Sequence, residues 1–208
     1  MYHQGKLEEA IQYYRKGLQI KPDFPLAKNN LGAALLQRGK LEDAVAHLSD
    51  AVRLKPGYLG ACHNLAVAYA RQGKFTEAIL YFSKVLKRQP FSPEAHNGIA
   101  NVFASQGRFD KAVEHWLKAI DLRPEYAAAH YNLGIVLERQ GSVREAESHF
   151  RKAIKINPDY AEAHSKLAIL LTQRNDFDGA LEHFAKALKI KPGLAEARQG
   201  MKRVLRLQ

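Results

Sequence analysis

The unit that decides the fold lies at residues 127–160, which read AAAHYNLGIVLERQGSVREAESHFRKAIKINPDY. Each half of this stretch spaces its apolar residues as one face of a helix does. Gly141 follows the first half, and glycine readily takes the left-handed conformation that ends a helix. Pro158 follows the second half, and proline cannot continue the helical hydrogen-bond ladder. The stretch therefore predicts two helices joined by a tight turn. Its apolar markers are Leu133, Val136, Leu137, Ala146, Phe150, Ala153 and Ile154.

The same pattern recurs every 34 residues along almost the whole chain. An alanine in the second helix, a glycine in the turn and a proline near the end keep this step, and Asn175 replaces the glycine once. Asn is the next choice after glycine for a left-handed residue. The recurring residues are Ala10, Ala44, Ala78, Ala112, Ala146 and Ala180; Gly5, Gly39, Gly73, Gly107 and Gly141; and Pro22, Pro56, Pro90, Pro124, Pro158 and Pro192.

We number the places of a unit so that the proline falls at place 32. This numbering predicts a single all-α solenoid over residues 1–208, with a partial repeat at 1–24 and a C-terminal capping helix at 195–208. The five complete repeats are 25–58, 59–92, 93–126, 127–160 and 161–194. Small residues recur at places 8, 20 and 27 and large ones at place 24, which indicates close packing between the two helices of a unit.

Composition narrows the class of protein. The 208 residues are 46% hydrophobic, which excludes a disordered chain. The single cysteine, Cys62, excludes a disulfide framework and a multi-thiolate zinc site. The sequence shows no secretory signal and no apolar run near the ~20 residues of a membrane span, so we expect a soluble chain. The compartment stays open, with the cytoplasm favoured.

The net charge of +11 first suggests nucleic acid or an anionic surface. Most of the basic residues, however, fall on second helices and at the C-terminal end. Readers of single-stranded nucleic acid interleave aromatic side chains with a basic groove, and this sequence does not. We therefore expect no nucleic-acid partner. An acidic partner or an anionic membrane face stays open, and the charge of +4 in repeat 59–92 has no explanation from sequence.

These units resemble the tetratricopeptide repeat, a helix-turn-helix unit of 34 residues, over essentially the whole chain. The sequence departs from the family at place 4, where the family favours Trp. That place holds Lys28, Cys62, His96, His130 and His164. The resemblance implies a right-handed superhelical solenoid, with a concave groove lined by the first helix of each repeat. It also implies a protein-binding scaffold without catalytic activity.

In this family the groove is lined by places 2, 5, 6, 9, 12 and 13. Place 6 carries a ladder of asparagines, Asn30, Asn64 and Asn132, similar to the ladder in the repeat region of the O-linked N-acetylglucosamine transferases. Each amide offers donors and an acceptor and can hold a peptide backbone. The alternative is that Asn is simply common at this place. The full set of candidate groove residues is Asn29, Asn30, His63, Asn64, Arg71, Asn97, Asn101, Tyr131, Asn132, Arg139, Lys166 and Gln173.

The sequence offers little support for other site chemistry. Eight of the nine histidines fall at repeating places, where equivalent residues on stacked helices lie roughly 10 Å apart, too far to share a zinc ion. Enzyme motifs for nucleotides or a serine nucleophile are missing. We therefore expect no metal, no cofactor and no enzyme activity, and we take Cys62 as a packing residue. A clamp for chaperone tails is disfavoured because its Lys and Arg are missing apart from Lys166.

Three functions remain compatible with the sequence. The first is a scaffold that binds an extended peptide or a partner helix in the groove. The second is the substrate-recruiting region of a larger enzyme, such as a glycosyltransferase. The third is an adaptor that self-associates through its N-terminal edge. That edge is expected because a second helix at about residues 7–19, without its first helix, would expose Ile11, Tyr14 and Leu18.

Overall fold

The structure is a computed structural model that describes the backbone of residues 2–207 and the side chains of residues 6–207. Within those residues it has twelve α-helices and no strand, so the predicted all-α repeat fold is confirmed. The helices are α1 Tyr2–Ile20, α2 Pro25–Gln37, α3 Leu41–Leu54, α4 Leu59–Arg71, α5 Phe75–Arg88, α6 Pro93–Ser105, α7 Phe109–Leu122, α8 Ala127–Arg139, α9 Val143–Ile156, α10 Ala161–Gln173, α11 Phe177–Ile190 and α12 Ala195–Val204.

The turns and helix ends are those that the glycines and prolines predict. The turn residues take positive φ, for example 75° at Gly39 and 82° at Gly141. Asn175, with φ of 60°, is the one non-glycine residue of the described backbone in this conformation, as its place in the repeat predicts. Each second helix ends two residues before its proline, because the proline has no N–H to donate.

The helices fall into two compact units, Met1–Arg108 and Phe109–Gln208, here called the N-terminal and C-terminal units. In the N-terminal unit α2 packs on α3 and α4 packs on α5, and α3 and α5 also pack on the first helix of the next repeat. The C-terminal unit repeats this arrangement with α8 on α9 and α10 on α11, and α12 covers α11. Each unit is therefore a stack of helical hairpins.

The core of each unit is built around place 24. Its large side chains are at most 2% exposed, and burying each one contributes roughly 2–3 kcal/mol. The alanines at places 20 and 27 around them are fully buried, which lets the helices approach closely. The residues at place 24 are Leu48, Phe82, Trp116, Phe150 and Phe184.

Four of the five place-24 side chains, all except Trp116, pack on a glycine in one of two ways. In the first arrangement it lies on place 8 of its own repeat. A Cβ added to Gly32 would lie 2.5 Å from Leu48 Cγ, and a Cβ on Gly134 would lie 2.7 Å from the Phe150 ring. In the second arrangement place 8 is an alanine, and the ring lies on place 6 of the next repeat. Phe82 then covers Gly98, and Phe184 covers Gly200 in the same way.

The prediction for the first helix is wrong in two respects. The backbone is helical from Tyr2, so no turn forms at Gly5. The turn at Gly39 is closed by hydrogen bonds to carbonyls of α2, whereas the backbone at Gly5 continues the helix.

The apolar residues of α1 are not exposed as predicted. Ile11 is 4% exposed, and Tyr14 and Leu18 are half-buried against the same core, because this face of α1 packs on α2. The exposed large side chains of α1 are instead Tyr13 and Ile20.

At the other end of the described chain, α12 packs on the last repeat. Ala197 and Val204 of α12 are fully buried against the last repeat, and Met201 packs beside them. Leu205 lies just past the end of α12 and is more than half exposed. The helix ends one residue too early to turn that side chain inwards.

Candidate functional site

The candidate residues lie on the first helices, and each unit presents its own surface. The N-terminal first-helix surface comprises the groove places of α2, α4 and α6. The C-terminal first-helix surface comprises the same places of α8, α10 and α12. Each first helix has one residue at each place, and neighbouring first helices lie side by side. Residues at the same place of adjacent helices are therefore neighbours. The two surfaces differ in their chemistry.

Three asparagines of the N-terminal first-helix surface form a chain of amides. Asn64 Nδ2 donates to Asn29 Oδ1 at 2.9 Å, across the contact between α4 and α2. Asn29 Nδ2 in turn donates to Asn30 Oδ1 at 3.2 Å. Asn29 itself is 7% exposed, so it connects the other two beneath the surface. We call this set the amide chain.

The amide chain has an open group at each end. Asn64 Oδ1 accepts no hydrogen bond, and Asn30 Nδ2 donates none, within residues 6–207. Both residues are half-buried, so these groups are only partly reached by solvent. One end can therefore accept a hydrogen bond from a ligand, and the other can donate one. An amide group of a peptide has one donor and one acceptor to match them.

Arg71 and His63 are held by the protein itself. Arg71 Nη1 donates to the Leu36 carbonyl at 2.8 Å, which ties the end of α4 to the last turn of α2. His63 places its ring edge-on to Phe82, with centroids 5.4 Å apart. Burial lowers the pKa of His63 below its usual value, so its ring is neutral near pH 7. Both residues border the amide chain rather than extend it.

Asn97 and Asn101 lie on α6, where the ladder is interrupted. Asn97 Oδ1 is buried and accepts no hydrogen bond in the described structure. A ligand could reach it only after the side chain turns, since the atom has almost no exposed surface. Asn101 is exposed, and its main-chain carbonyl accepts a hydrogen bond from Ser105 Oγ at 3.0 Å. Place 6 of this helix is Gly98, which the Phe82 ring covers.

The C-terminal first-helix surface is organised around Lys166. Its Nζ lies 2.7 Å from Glu196 Oε1 on α12 and 3.9 Å from Glu138 Oε2 on α8. Ser165 Oγ also donates to Glu196 Oε2, at 3.3 Å. The lysine is therefore already paired with carboxylates from both neighbouring helices. Unlike the amide chain, this cluster leaves its cation neutralised.

Tyr131 is enclosed by aromatic rings. Its centroid lies 4.9 Å from that of Tyr160 and 5.9 Å from that of Phe150. Burial raises the pKa of Tyr131 far above its usual value, and burial raises the pKa of Tyr160 to about 12. Both phenols are therefore neutral donors at any physiological pH.

The other candidates of this unit lie apart from that cluster. The Arg139 guanidinium lies 5.9 Å from the centroid of the Phe109 ring, within the range of a cation–π contact. Gln173 is exposed and borders a cavity of about 290 Å³ with Thr172 and Arg203. Asn132 is half-buried on α8 at place 6. The structure therefore groups Lys166 with Glu138 and Glu196, and places Arg139 and Gln173 elsewhere.

Two residues of the C-terminal surface were missed by sequence reasoning. Glu196 lies at place 2 of the capping helix, and place 2 belongs to the groove set. Extending the repeat numbering into residues 195–208 would have found it. Tyr160 lies at place 34, just before α10, and no motif distinguishes it from the other residues at that place.

The place-4 and place-23 histidines form two equivalent pairs. His130 Nε2–H donates to the Pro124 carbonyl at 3.0 Å, which leaves its Nδ1 to accept from His149 Nδ1 at 2.9 Å. His164 and His183 make the same contact at 2.8 Å, and His164 Nε2 lies 3.0 Å from the Pro158 carbonyl.

The two histidine pairs are structural contacts within the C-terminal unit. Burial, then the neighbouring His130, lowers the pKa of His149 to about 4, and burial with His164 does the same for His183. Each ring is therefore neutral near pH 7 and serves as a hydrogen-bonding partner of the other. No cluster of three or more metal-binding side chains occurs among the described residues.

Comparisons with known proteins agree with the repeat structure. Models of the TPR repeat match residues 1–39 and 100–141, and two tetratricopeptide repeat models match residues 35–102 and 125–193. Together these matches run from residue 1 to residue 193. A search of curated proteins gives no significant match. None of the helices within residues 2–207 combines the length and apolarity needed to cross a membrane.

Several solved structures share the fold. A chain of the Cut9–Hcn1 hetero-tetramer of the APC/C has a TM-score of 0.82 and 20% identity, covering 97% of this chain and 40% of that one. This chain thus spans well under half of that protein's length. TTC0263, a TPR protein of Thermus thermophilus, has a TM-score of 0.73 and 22% identity, covering 88% and 99%.

YrrB, described as a TPR protein with an unusual peptide-binding site, has a TM-score of 0.58 and 21% identity, covering 91% of this chain and 97% of that one. At these identities the likeness concerns the fold. Combined with the three repeat models and the helical hairpins of both units, it leads to one conclusion. The chain belongs to the tetratricopeptide repeat family.

Proposed function

We propose that this chain is a non-catalytic protein-interaction scaffold that holds an extended peptide on the N-terminal first-helix surface. The observation that carries the proposal is the amide chain with its two open ends. Asn30 Nδ2 offers a donor to a peptide carbonyl, and Asn64 Oδ1 offers an acceptor to a peptide N–H. YrrB, which shares the fold, has a peptide-binding site, and this supports the same class of ligand.

The recognition in this proposal is of the peptide backbone. Amide side chains bind the main chain without selecting its side chains, so they supply affinity and not sequence choice. Selection would come from bordering residues, such as His63 and Arg71 in the same unit. This division predicts a site that tolerates many sequences in an extended conformation.

A second candidate function, the recruiting region of a larger glycosyltransferase, is less well supported. It rests on a ladder of asparagines through successive repeats. In this chain Gly98 interrupts the ladder, and the Phe82 ring occupies the space beside it. Self-association through α1 loses its basis as well, because Ile11 is buried and Tyr14 and Leu18 are packed. The scaffold therefore remains the function that the geometry supports best.

The decisive variant is Asn30→Asp, because it replaces the open donor by a carboxylate oxygen and keeps the acceptor. The carboxylate still accepts the hydrogen bond from Asn29 Nδ2, so the amide chain stays connected. Asn64→Ala is a poorer choice, since it would leave the buried Asn29 Oδ1 without its donor. We expect peptides selected from a random library on the unmodified chain to bind Asn30→Asp about tenfold more weakly, by fluorescence anisotropy.

A matched control makes the same chemical change away from the surface. Asn157→Asp lies after α9 on an exposed residue, where the carboxylate can still accept the Asp159 N–H. Binding should be unchanged in this control. Methylating single backbone nitrogens of the selected peptide should weaken binding at one or two positions. Equal binding by Asn30→Asp, or indifference to every N-methyl group, would contradict the proposal.

A further inference from the structure

A second surface lies on the opposite side of the repeats, along α5 and the turn after it. Leu80, Lys84, Lys87, Arg88 and Phe91 follow one another at steps of one to four residues. The first four lie on one side of α5, since residues three and four apart are neighbours on a helix. Phe91 lies in the following turn, which Ser92 N–H closes on the Gln89 carbonyl. We call this set the basic stripe.

Comparison with other second helices shows how the basic stripe arises. Place 22 holds Glu114 in α7 and Glu182 in α11, and each pairs with the lysine four residues later, at 2.6 Å and 2.5 Å. In α5 the same place holds Leu80, so Lys84 has no such carboxylate. Its Nζ lies instead 4.3 Å from the centroid of the Tyr81 ring.

A second acidic place has also become aromatic. Place 33 is Glu125 and Asp159 in repeats 93–126 and 127–160 and glycine in repeats 25–58 and 161–194, whereas in repeat 59–92 it is Phe91. Phe91 is 80% exposed and Leu80 is 52% exposed, although both are large apolar side chains. Burying such a side chain typically contributes roughly 1.5–3 kcal/mol. Each is therefore a contact that a partner could gain by covering it.

The cations between these two side chains are unpaired. Lys87 and Arg88 form no ion pair with any residue of 6–207. No Asp or Glu occurs from 78 to 93, and Glu77 and Glu94 flank the segment. At 1.5 Å per residue the stripe is about 16 Å long. It thus offers three positive charges between two apolar contacts and supplies three of the five basic residues of this repeat.

We propose that the basic stripe binds a short acidic segment of another protein, with apolar residues at both ends of a run of carboxylates. The positive charge of the stripe requires an anionic partner. Because the stripe is narrow, it suits a single protein segment better than a broad surface. Glu77 at the start of α5 and the exposed Glu42 and Asp43 of α3 bound the positive charge within the same unit. A bilayer would meet those carboxylates as well, whereas one protein segment contacts α5 alone. This surface is separate from the peptide site proposed above.

The test uses a fluorescein-labelled peptide of six residues, leucine, four glutamates and phenylalanine, whose two apolar residues lie about 16 Å apart when the peptide is extended. A second peptide has glutamines in place of the glutamates. The full chain should bind the glutamate peptide saturably. The glutamine peptide should bind at least about tenfold more weakly, and added salt should reduce binding, because the contact is between charges. Absence of saturable binding would overturn the proposal.

Two variants locate the contact, and a third serves as the control. The glutamate of Leu80→Glu should pair with Lys84, as Glu114 pairs with Lys118. Phe91→Glu introduces the acidic residue that Glu125 provides at the same place of the next repeat. Each should weaken binding of the glutamate peptide at least about tenfold. Ala46→Glu introduces the same charge at place 22 of α3, on an exposed residue, and should leave binding nearly unchanged. A loss with Ala46→Glu as large as with Leu80→Glu would show a general charge effect.

Vesicles containing about one third phosphatidylserine distinguish a membrane from a protein partner. We expect them to bind the chain weakly and without dependence on Leu80. If Leu80→Glu abolishes vesicle binding while the peptide fails to bind, the stripe is a membrane contact and the proposal is wrong. Circular dichroism of every variant should show an unchanged thermal midpoint, since none of the substituted side chains belongs to the buried core.

Discussion

The two units pack by the same rule and differ in how their polar groups are used. In the N-terminal unit the amide chain ends in an open donor and an open acceptor, and Lys87 and Arg88 have no partner within the described residues. In the C-terminal unit Lys166 is paired with Glu196, and His130 with His149. Within the same fold, the polar groups that can bind a partner are therefore those that do not already bind one another.

The largest expected effect comes from extending the ladder of asparagines through the N-terminal unit. Gly98→Asn would place a Cβ only 2.3 Å from Phe82 Cζ, which is too close for either group to stay in place. Overpacking of this kind costs about 1–3 kcal/mol, and because the ring is fully enclosed we expect the upper part of that range in urea unfolding. A second change should recover much of the loss.

Ala66→Gly opens the alternative position for the ring, on place 8 of its own repeat. Phe150 lies on Gly134 in this way, and place 6 of the next repeat is then free for Lys166. The double variant Ala66→Gly with Gly98→Asn should therefore be more stable than Gly98→Asn alone. If Gly98→Asn unfolds at the same urea concentration as the unmodified chain, the two packing arrangements do not constrain place 6.

Acid should weaken the C-terminal unit more than the N-terminal unit. The pKa of His149 and of His183 is about 4 in the folded chain, whereas an unfolded histidine has a pKa of about 6.5. Between these values the unfolded chain binds more protons, so stability is lost as the pH falls through this window. Since these rings are about half exposed, we expect about 1–2 kcal/mol for each pair.

Hydrogen exchange at pH 7 and at about pH 4.5 resolves the loss by unit. The control is His149→Tyr with His183→Tyr, because Tyr81 is the chain's own residue at this place in α5. The variant has fewer titrating groups and should lose less protection in acid. Equal loss in both units would show that the histidine pairs are not responsible.

The smallest effect is expected at the ion pairs of the C-terminal unit. Lys166→Met removes a partly buried cation and leaves Glu196 and Glu138 facing each other, which should cost about 1 kcal/mol. Lys186→Met removes an exposed cation from Glu182 and should cost less. Urea unfolding at low and high salt compares the two. A larger loss for Lys186→Met would contradict the central position of Lys166.

Most of the fold could be predicted from the sequence because the contacts of a repeat array are local. A glycine that must take positive φ, a proline that must end a helix and a large residue at place 24 act within one or two units. These features predicted the turns at Gly39 and Asn175 and the burial of Trp116. The burial of Ile11 was missed, because it depends on the face of α1 that α2 covers.

The sequence predicted which positions of the repeat hold the candidate residues, but not which residues they contact. The repeat numbering identified Asn30 and Asn64 as neighbours on adjacent helices, but not that the buried Asn29 connects them. It identified Lys166, but not its neutralisation by Glu196. Hydrogen-bond partners depend on rotamers and on distances of a few tenths of an ångström, which a repeat pattern does not specify.

Residue type and spacing were enough to establish the repeat, its turns, its core and the charge of each unit. The folded structure was needed to show which way each place-24 side chain packs. That choice places Phe82 on Gly98 and Leu48 on Gly32, and so determines where a polar side chain can stand at place 6. The structure also shows which polar groups are paired within the protein and which have no partner among the described residues. The physical reason is that close packing and pairing depend on the three-dimensional neighbours of a residue.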